Sequence, residues 1–204
     1  MDVSRWKYQF KIIMLGCDNV RKSCLLERYI KGLFPEHIYA TIVTGLSIHY
    51  LEVEPGVIVK LQLFDTPGLE FFRTMMHVYV HNSAGCLLVF DLSDYNSFSY
   101  LKRWHTELIK SLHPHTAHFV LVGHKSDRNE WEVTREEAEL LASEFGAQYI
   151  EASAKTGHNV VESFEMLTRH IYQGILQGEV QAGVTCSTKN NNDVPAEDNK
   201  CCAS

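Results

Sequence analysis

Between residue 8 and about residue 176 the chain alternates short apolar runs with stretches of helical periodicity. Apolar or alternating runs at 10–15, 46–52, 57–65, 86–91, 119–122 and 148–151 predict strands. The second and third flank Glu54-Pro55-Gly56, the composition of a hairpin turn. The others are nearly unbroken, as in Gly85-Cys86-Leu87-Leu88-Val89-Phe90, which suits strands covered on both faces. Helical spacing falls at 22–31, 97–112, 135–145 and 160–176. Thr134 with Glu137 reads as a capping box, and Phe164, Leu167, Ile171 and Ile175 give the last helix one apolar stripe. The order predicts an α/β fold: a six-stranded, mostly parallel sheet with one antiparallel edge strand and helices on both faces. From Gln177 onward the periodicity stops and polar residues dominate, so a flexible tail over 177–204 is expected after one domain over 1–176.

A chain of 204 residues with 45% hydrophobic and 22% charged residues can bury a core without staples. A formal net charge of -6 disfavours non-specific nucleic-acid binding. No run is apolar enough for a membrane span, and the first residues do not resemble a secretory leader. The 6 cysteines form no CxxC pair or zinc spacing; Cys24 and Cys86 read as small core residues.

The chemistry gathers at strand ends. The first strand runs into Gly16-Cys17-Asp18-Asn19-Val20-Arg21-Lys22-Ser23 and then a helix, close to G-x-x-x-x-G-K-[ST]. In that motif backbone N–H groups curl around phosphates at a helix N-terminus, the lysine reaches the β- and γ-phosphates, and the hydroxyl ligates Mg²⁺. Arg21 replaces the second glycine. Either its backbone is strained, at about 1–3 kcal/mol, or its guanidinium swings out and adds positive charge. Asp65, ending the third strand, suits a Mg²⁺ site, and Gly68 after it lets a backbone N–H approach a γ-phosphate. Gly123-His124-Lys125-Ser126-Asp127 and Ser153-Ala154-Lys155 follow later strands, where open α/β sheets bind ligands. Asp127 can accept from N1–H and N2–H₂ of guanine, which favours GTP over ATP. The Lys125 stem can cover the base, and a backbone N–H near Ala154 can reach O6.

On these motifs the chain resembles a Ras-superfamily small GTPase with the P-loop NTPase fold, most like the Rab branch. The likeness spans 8–176 and includes Lys22-Ser23-Cys24-Leu25-Leu26-Glu27-Arg28-Tyr29, Phe71-Phe72-Arg73-Thr74 with Tyr79, and Ser153-Ala154-Lys155. It implies GTP, GDP and Mg²⁺ as ligands. It places nucleotide contacts at Asp18, Asn19, Val20, Arg21, Lys22, Ser23, Cys24, Gly68, His124, Lys125, Asp127, Ser153, Ala154 and Lys155. Phe34 falls at the aromatic beside guanine, and Thr41 at the switch threonine that joins Ser23 and Asp65 on Mg²⁺ in the GTP state.

Several positions depart from the family pattern. Arg21 stands for glycine, Val43 for the glycine after Thr41-Ile42, His124 for asparagine, and Pro67 for alanine. Leu69 stands for the glutamine that orients the attacking water, which leaves Lys22 and Gly68 as the remaining catalytic positions. The resemblance therefore implies a GTP switch in vesicle trafficking with weak intrinsic hydrolysis, or a pseudo-GTPase that is locked with GTP or empty. Asp127 and Ser153-Ala154-Lys155 disfavour a P-loop ATPase or kinase.

The family's effectors read both switches, here through Ile42, Leu46, Phe64 and Tyr79. The terminal Cys201-Cys202-Ala203-Ser204 is similar to Rab endings that carry two geranylgeranyl groups. Lipid anchoring at Cys201 and Cys202, on the cytoplasmic face of intracellular membranes with a cytosolic pool, is implied. So are exchange factors, activating proteins, a prenylation escort and a GDP-dissociation inhibitor.

Overall fold

The computed structural model describes residues 5–35, 40–68, 76–112, 117–179 and 183–187. β1 (Tyr8–Leu15) leads through a single 3₁₀ turn (Asp18–Val20) into α1 (Lys22–Lys31). β2 (Gly45–Glu54) and β3 (Val57–Asp65) form the expected antiparallel hairpin, with Gly56 at positive φ in its turn. The chain continues through α2 (Met76–Val80), β4 (Gly85–Asp91), α3 (Tyr95–Leu112), β5 (His118–His124), α4 (Arg135–Glu144), β6 (Gln148–Ala152), α5 (Val160–Leu176) and β7 (Val184–Cys186). The short α2 had no periodic signature in the sequence.

The strand order is β2-β3-β1-β4-β5-β6, parallel except for the β2 edge. Successive side chains of a strand face opposite ways, so each central strand feeds two cores. Ile12 and Met14 join a cluster with Leu25 and Tyr29 of α1 and Phe164 and Leu167 of α5. Ile13 and Leu15 join one with Leu101 and Trp104 of α3 and Leu141 of α4. Tyr29 and Phe164 stack at 4.2 Å, locking α1 to α5. Thr134 caps α4 as its sequence predicts: Glu137 N–H donates to Thr134 Oγ1 at 3.2 Å, and Thr134 N–H donates back to Glu137 Oε2 at 2.9 Å.

The absence of regular structure expected after Gln177 does not hold at β7. β4 begins to pair with β1 only at Ile12, which leaves Tyr8, Gln9 and Phe10 open on that side. β7 fills the gap, antiparallel, and Lys11 N–H donates to the Gly183 carbonyl at 3.0 Å. Gly183 has φ +72°, and a Cβ there would fall 2.1 Å from the Asn82 carbonyl oxygen. Three residues of strand carry too little pattern to be read from sequence; the open edge they satisfy lies far away in the chain.

Candidate functional site

Because β3, β1, β4, β5 and β6 run parallel, their C-terminal ends share one edge of the sheet. A cavity of about 1030 Å³ opens near it, lined by Asn19, Arg21, Cys24, Phe34, His124, Lys125, Asp127, Ala154 and Lys155 among others. Nine residues from three separate sequence motifs and the Phe34 segment thus meet around one volume.

At the loop after β1, Arg21 has φ 65° and ψ 45°, the left-handed backbone that glycine would adopt freely. Its side chain is exposed at the cavity. Both alternatives left open by the sequence are therefore realised together: the backbone is in the costly region, at about 1–2 kcal/mol, and the guanidinium is outside. Lys22 is 4% exposed, and its Nζ donates to the Gly16 and Cys17 carbonyls at 2.8 and 3.2 Å. The loop's own curl holds the ammonium.

Ser23, Thr41 and Asp65 converge from three different elements. Ser23 Oγ donates to Asp65 Oδ2 at 2.6 Å and lies 2.6 Å from Thr41 Oγ1, which itself lies 3.5 Å from Asp65 Oδ2. Asp65 Oδ1 is buried without a hydrogen-bond partner. Burial pushes the Asp65 carboxyl above the usual carboxylate range, opposed by the Ser23 hydrogen bond and the Lys22 charge. Two hydroxyls and a carboxylate with an unsatisfied oxygen are the donor set that a hard divalent cation fits. Next along the chain, Thr66 is fully buried and donates to the Met14 carbonyl at 2.6 Å, pinning the segment after β3 to the end of β1. Gly68 then packs directly on Asp18: a Cβ on Gly68 would lie 1.6 Å from Asp18 Oδ1.

At the opposite wall, Lys125 adopts φ 64°, and its Nζ donates to the Asn19 carbonyl at 2.8 Å and pairs with Asp91. Burial would raise the Asp91 carboxyl, but hydrogen bonds from Lys125 and Ser93 hold it below the usual range. Asp127 Oδ1 accepts from Ser153 Oγ at 2.6 Å, and Lys155 Nζ lies 3.9 Å from Oδ2. Ser153 is fully buried, so it orients Asp127 from behind. Val20 is likewise buried and does not line the cavity; its carbonyl contacts the His124 ring, which does.

Ile42 is 86% exposed and Leu46 is exposed, whereas Phe64 and Tyr79 are half-buried against the second core cluster. Leu69, Phe71, Phe72, Arg73, Thr74, Cys201 and Cys202 lie outside the described residues. Sequence reasoning missed Asp91, although it ends a strand as Asp65 does, and that signal was available. It also missed Thr66 and the cavity residues Ser93, Arg128 and Trp131, which sit in loops without a pattern of their own.

The Ras family model matches residues 11–173 of the chain. The chain belongs to the Ras family. Within it, the chain is 45% identical over 180 residues to "Ras-related protein Rab-39A" of Homo sapiens, covering 86% of this chain and 83% of that protein. It is 36% identical over 184 residues to "Ras-related protein Rab-42" of Mus musculus, covering 89% and 86%. It is 38% identical over 168 residues to "Ras-related protein SEC4" of Saccharomyces cerevisiae, covering 81% and 76%. The Ras-family chain is thus a Rab-type small GTPase, a GTP-binding, GTP-hydrolysing switch of membrane trafficking.

Proposed function

We propose that the cavity holds GTP or GDP, with Mg²⁺ at Ser23, Thr41 and Asp65, and that unaided hydrolysis is slow. The observation that carries the nucleotide and Mg²⁺ assignment is the convergence of Ser23, Thr41 and Asp65 beside Lys22. In it, Asp127, held by Ser153, accepts from the guanine edge, the Lys125 stem covers the base, and Phe34 closes the outer side. The loop over 16–23 wraps the phosphates, with Lys22 exchanging its carbonyl partners for phosphate oxygens. The Gly68 N–H reaches the γ-phosphate. Mg²⁺ held by Ser23, Thr41 and Asp65 would supply charge neutralisation to the phosphates.

Hydrolysis needs a water held in line, and positioning is most of what the protein contributes. The Leu69 side chain has no polar atom with which to hold it. An activating protein that brings its own glutamine would bypass that lack. The exposed Ile42, Val43 and Leu46 offer an apolar surface to effectors, and Cys201 and Cys202 take the lipid that holds the switch on cytoplasmic membrane faces. Exchange factors, a prenylation escort and a GDP-dissociation inhibitor follow from the same reading.

The second reading, a switch locked with nucleotide or empty, draws on Arg21 in a left-handed backbone and on the Asp18 carboxylate against Gly68. Denaturing the purified full chain and identifying the released nucleotide, followed by single-turnover hydrolysis, separates the two. GDP with slow, measurable turnover supports the first. Intact GTP without turnover, or no nucleotide, supports the second.

A further inference from the structure

His124 closes β5 and is 2% exposed. Its Nδ1 lies 2.7 Å from the Val20 carbonyl oxygen, and the Ala154 N–H donates to its Nε2 at 3.2 Å. A carbonyl oxygen can only accept, and an amide N–H can only donate. The ring must therefore carry its proton on Nδ1 and keep a lone pair on Nε2. Only one neutral tautomer satisfies both neighbours. The neighbours belong to the two loops that flank the cavity, Val20 just before Arg21-Lys22 and Ala154 just after Ser153.

We propose that His124 is an acid-labile latch between the phosphate loop and the base loop, so that acidification loosens the grip on bound nucleotide. The inference rests on the cavity being the guanine-nucleotide site. A second proton would have to sit on Nε2, facing the Ala154 N–H. Two donors would then point at each other, and the hydrogen bond from the base loop to the ring would be lost. The Nδ1–H bond to Val20 would survive, so the opening would begin on the base side.

The charges facing the ring come from three places. Lys125, its neighbour in sequence, disfavours a charged ring, while Asp91 at the end of β4 and Asp127 beyond β5 favour one. Burial outweighs them and, despite the Val20 carbonyl, holds the ring below the usual imidazole range. The latch is thus closed at neutral pH and opens only on acidification. An asparagine at this position could bridge the same two groups without titrating.

The test follows release of a fluorescent GDP analogue from the full chain between about pH 7.5 and about pH 4, a window that reaches below the range in which a free imidazole titrates, because burial lowers this ring. The unmodified protein is expected to release roughly ten-fold faster at the acid end, the size of one lost buried hydrogen bond. Release from His124→Asn should rise much less steeply with acid, what remains coming from carboxylates such as Asp65. Coincident profiles for the two proteins, or slower release on acidification, would overturn the latch. Failure of both proteins to hold any guanine nucleotide at neutral pH would instead overturn the reading of the cavity, and the latch with it. Nitrogen NMR of the unmodified protein gives a check that needs no variant. An Nδ1–H tautomer at neutral pH agrees with the latch, and an Nε2–H tautomer refutes it.

Discussion

Asp18 and Gly68 meet so closely that a Cβ on Gly68 would fall 1.6 Å from Asp18 Oδ1 and 2.8 Å from the Asp18 Cα. The first clash could be relieved by rotating the side chain; the second, against backbone, could not. Gly68→Ala must therefore push the segment after β3 away from the phosphate loop. The expected result is a GTP affinity lowered by about ten-fold or more relative to GDP, because only the γ-phosphate uses the Gly68 N–H. Displacement of a labelled GDP analogue by each nucleotide measures the ratio, and an unchanged ratio would mean that Gly68 does not reach the γ-phosphate.

The same contact puts a carboxylate next to the proposed γ-phosphate. Asp18→Ser should raise affinity for GTP over GDP several-fold, on the order of 1 kcal/mol for one exposed charge a few ångströms away. Added salt should shrink the difference. Titration at low and high ionic strength reads both effects.

Base selection rests on Asp127 and on the hydroxyl behind it. Asp127→Asn should weaken GTP and GDP by roughly 10²-fold or more and admit xanthine nucleotides, since the site loses a paired acceptor. Ser153→Ala should cost less, about five- to ten-fold, because it frees the carboxylate to rotate without removing it. Equal affinity for ATP and GTP in the unmodified protein would dismiss the assignment.

Arg21 and Leu69 can be separated as causes of slow turnover. Arg21→Gly relieves a left-handed backbone, so urea unfolding should show stability unchanged or up by about 1 kcal/mol, the strain relief being offset by a looser unfolded chain. Arg21→Val should lose more than about 1 kcal/mol, a β-branched side chain being costly there. Leu69→Gln should raise single-turnover hydrolysis and leave GTP affinity nearly unchanged. If Arg21→Gly accelerates the reaction and Leu69→Gln does not, the fault lies in the phosphate loop.

β7 makes its own prediction. Gly183→Val would set a β-branched residue at φ +72° and 2.1 Å from a carbonyl oxygen, so β7 should detach from β1. The Lys11 amide, which donates to Gly183, and the Ser187 amide, which donates to Lys7, should then lose protection in hydrogen exchange. Protection at both sites unaffected by the substitution would show that β7 is held by other contacts.

The main strands and helices were legible because each carries a period: two for β2 and β3, unbroken apolarity for β4, and a 3.6 stripe for α5. Lys22, Ser23, Asp65 and Asp127 were legible because each occupies a fixed place relative to a strand end. What escaped depends on partners distant in sequence. Nothing in the local pattern says that Thr66 reaches Met14, that Lys125 turns to Asp91, or that Val184 will find the open side of Phe10. The consequence of Arg21 was undecidable from composition, since a guanidinium can leave a crowded loop while its backbone cannot.

β7 also sets the length of a leash. Fastened at Ser187, the chain has 13 residues before Cys201, the first of the proposed lipid-bearing cysteines, a reach of at most roughly 45–50 Å when fully extended. Were it free from the end of α5, the same cysteine could stray roughly 80–90 Å. The point of attachment lies at the N-terminal end of β1, away from the cavity, beside the last turns of α5, where Tyr172 packs on Tyr8. A lipid at Cys201 or Cys202 would thus confine the switch to a shallow layer above the bilayer and limit which surface-bound partners its exposed Ile42 and Leu46 can meet. Releasing three residues of strand would nearly double the depth of that layer.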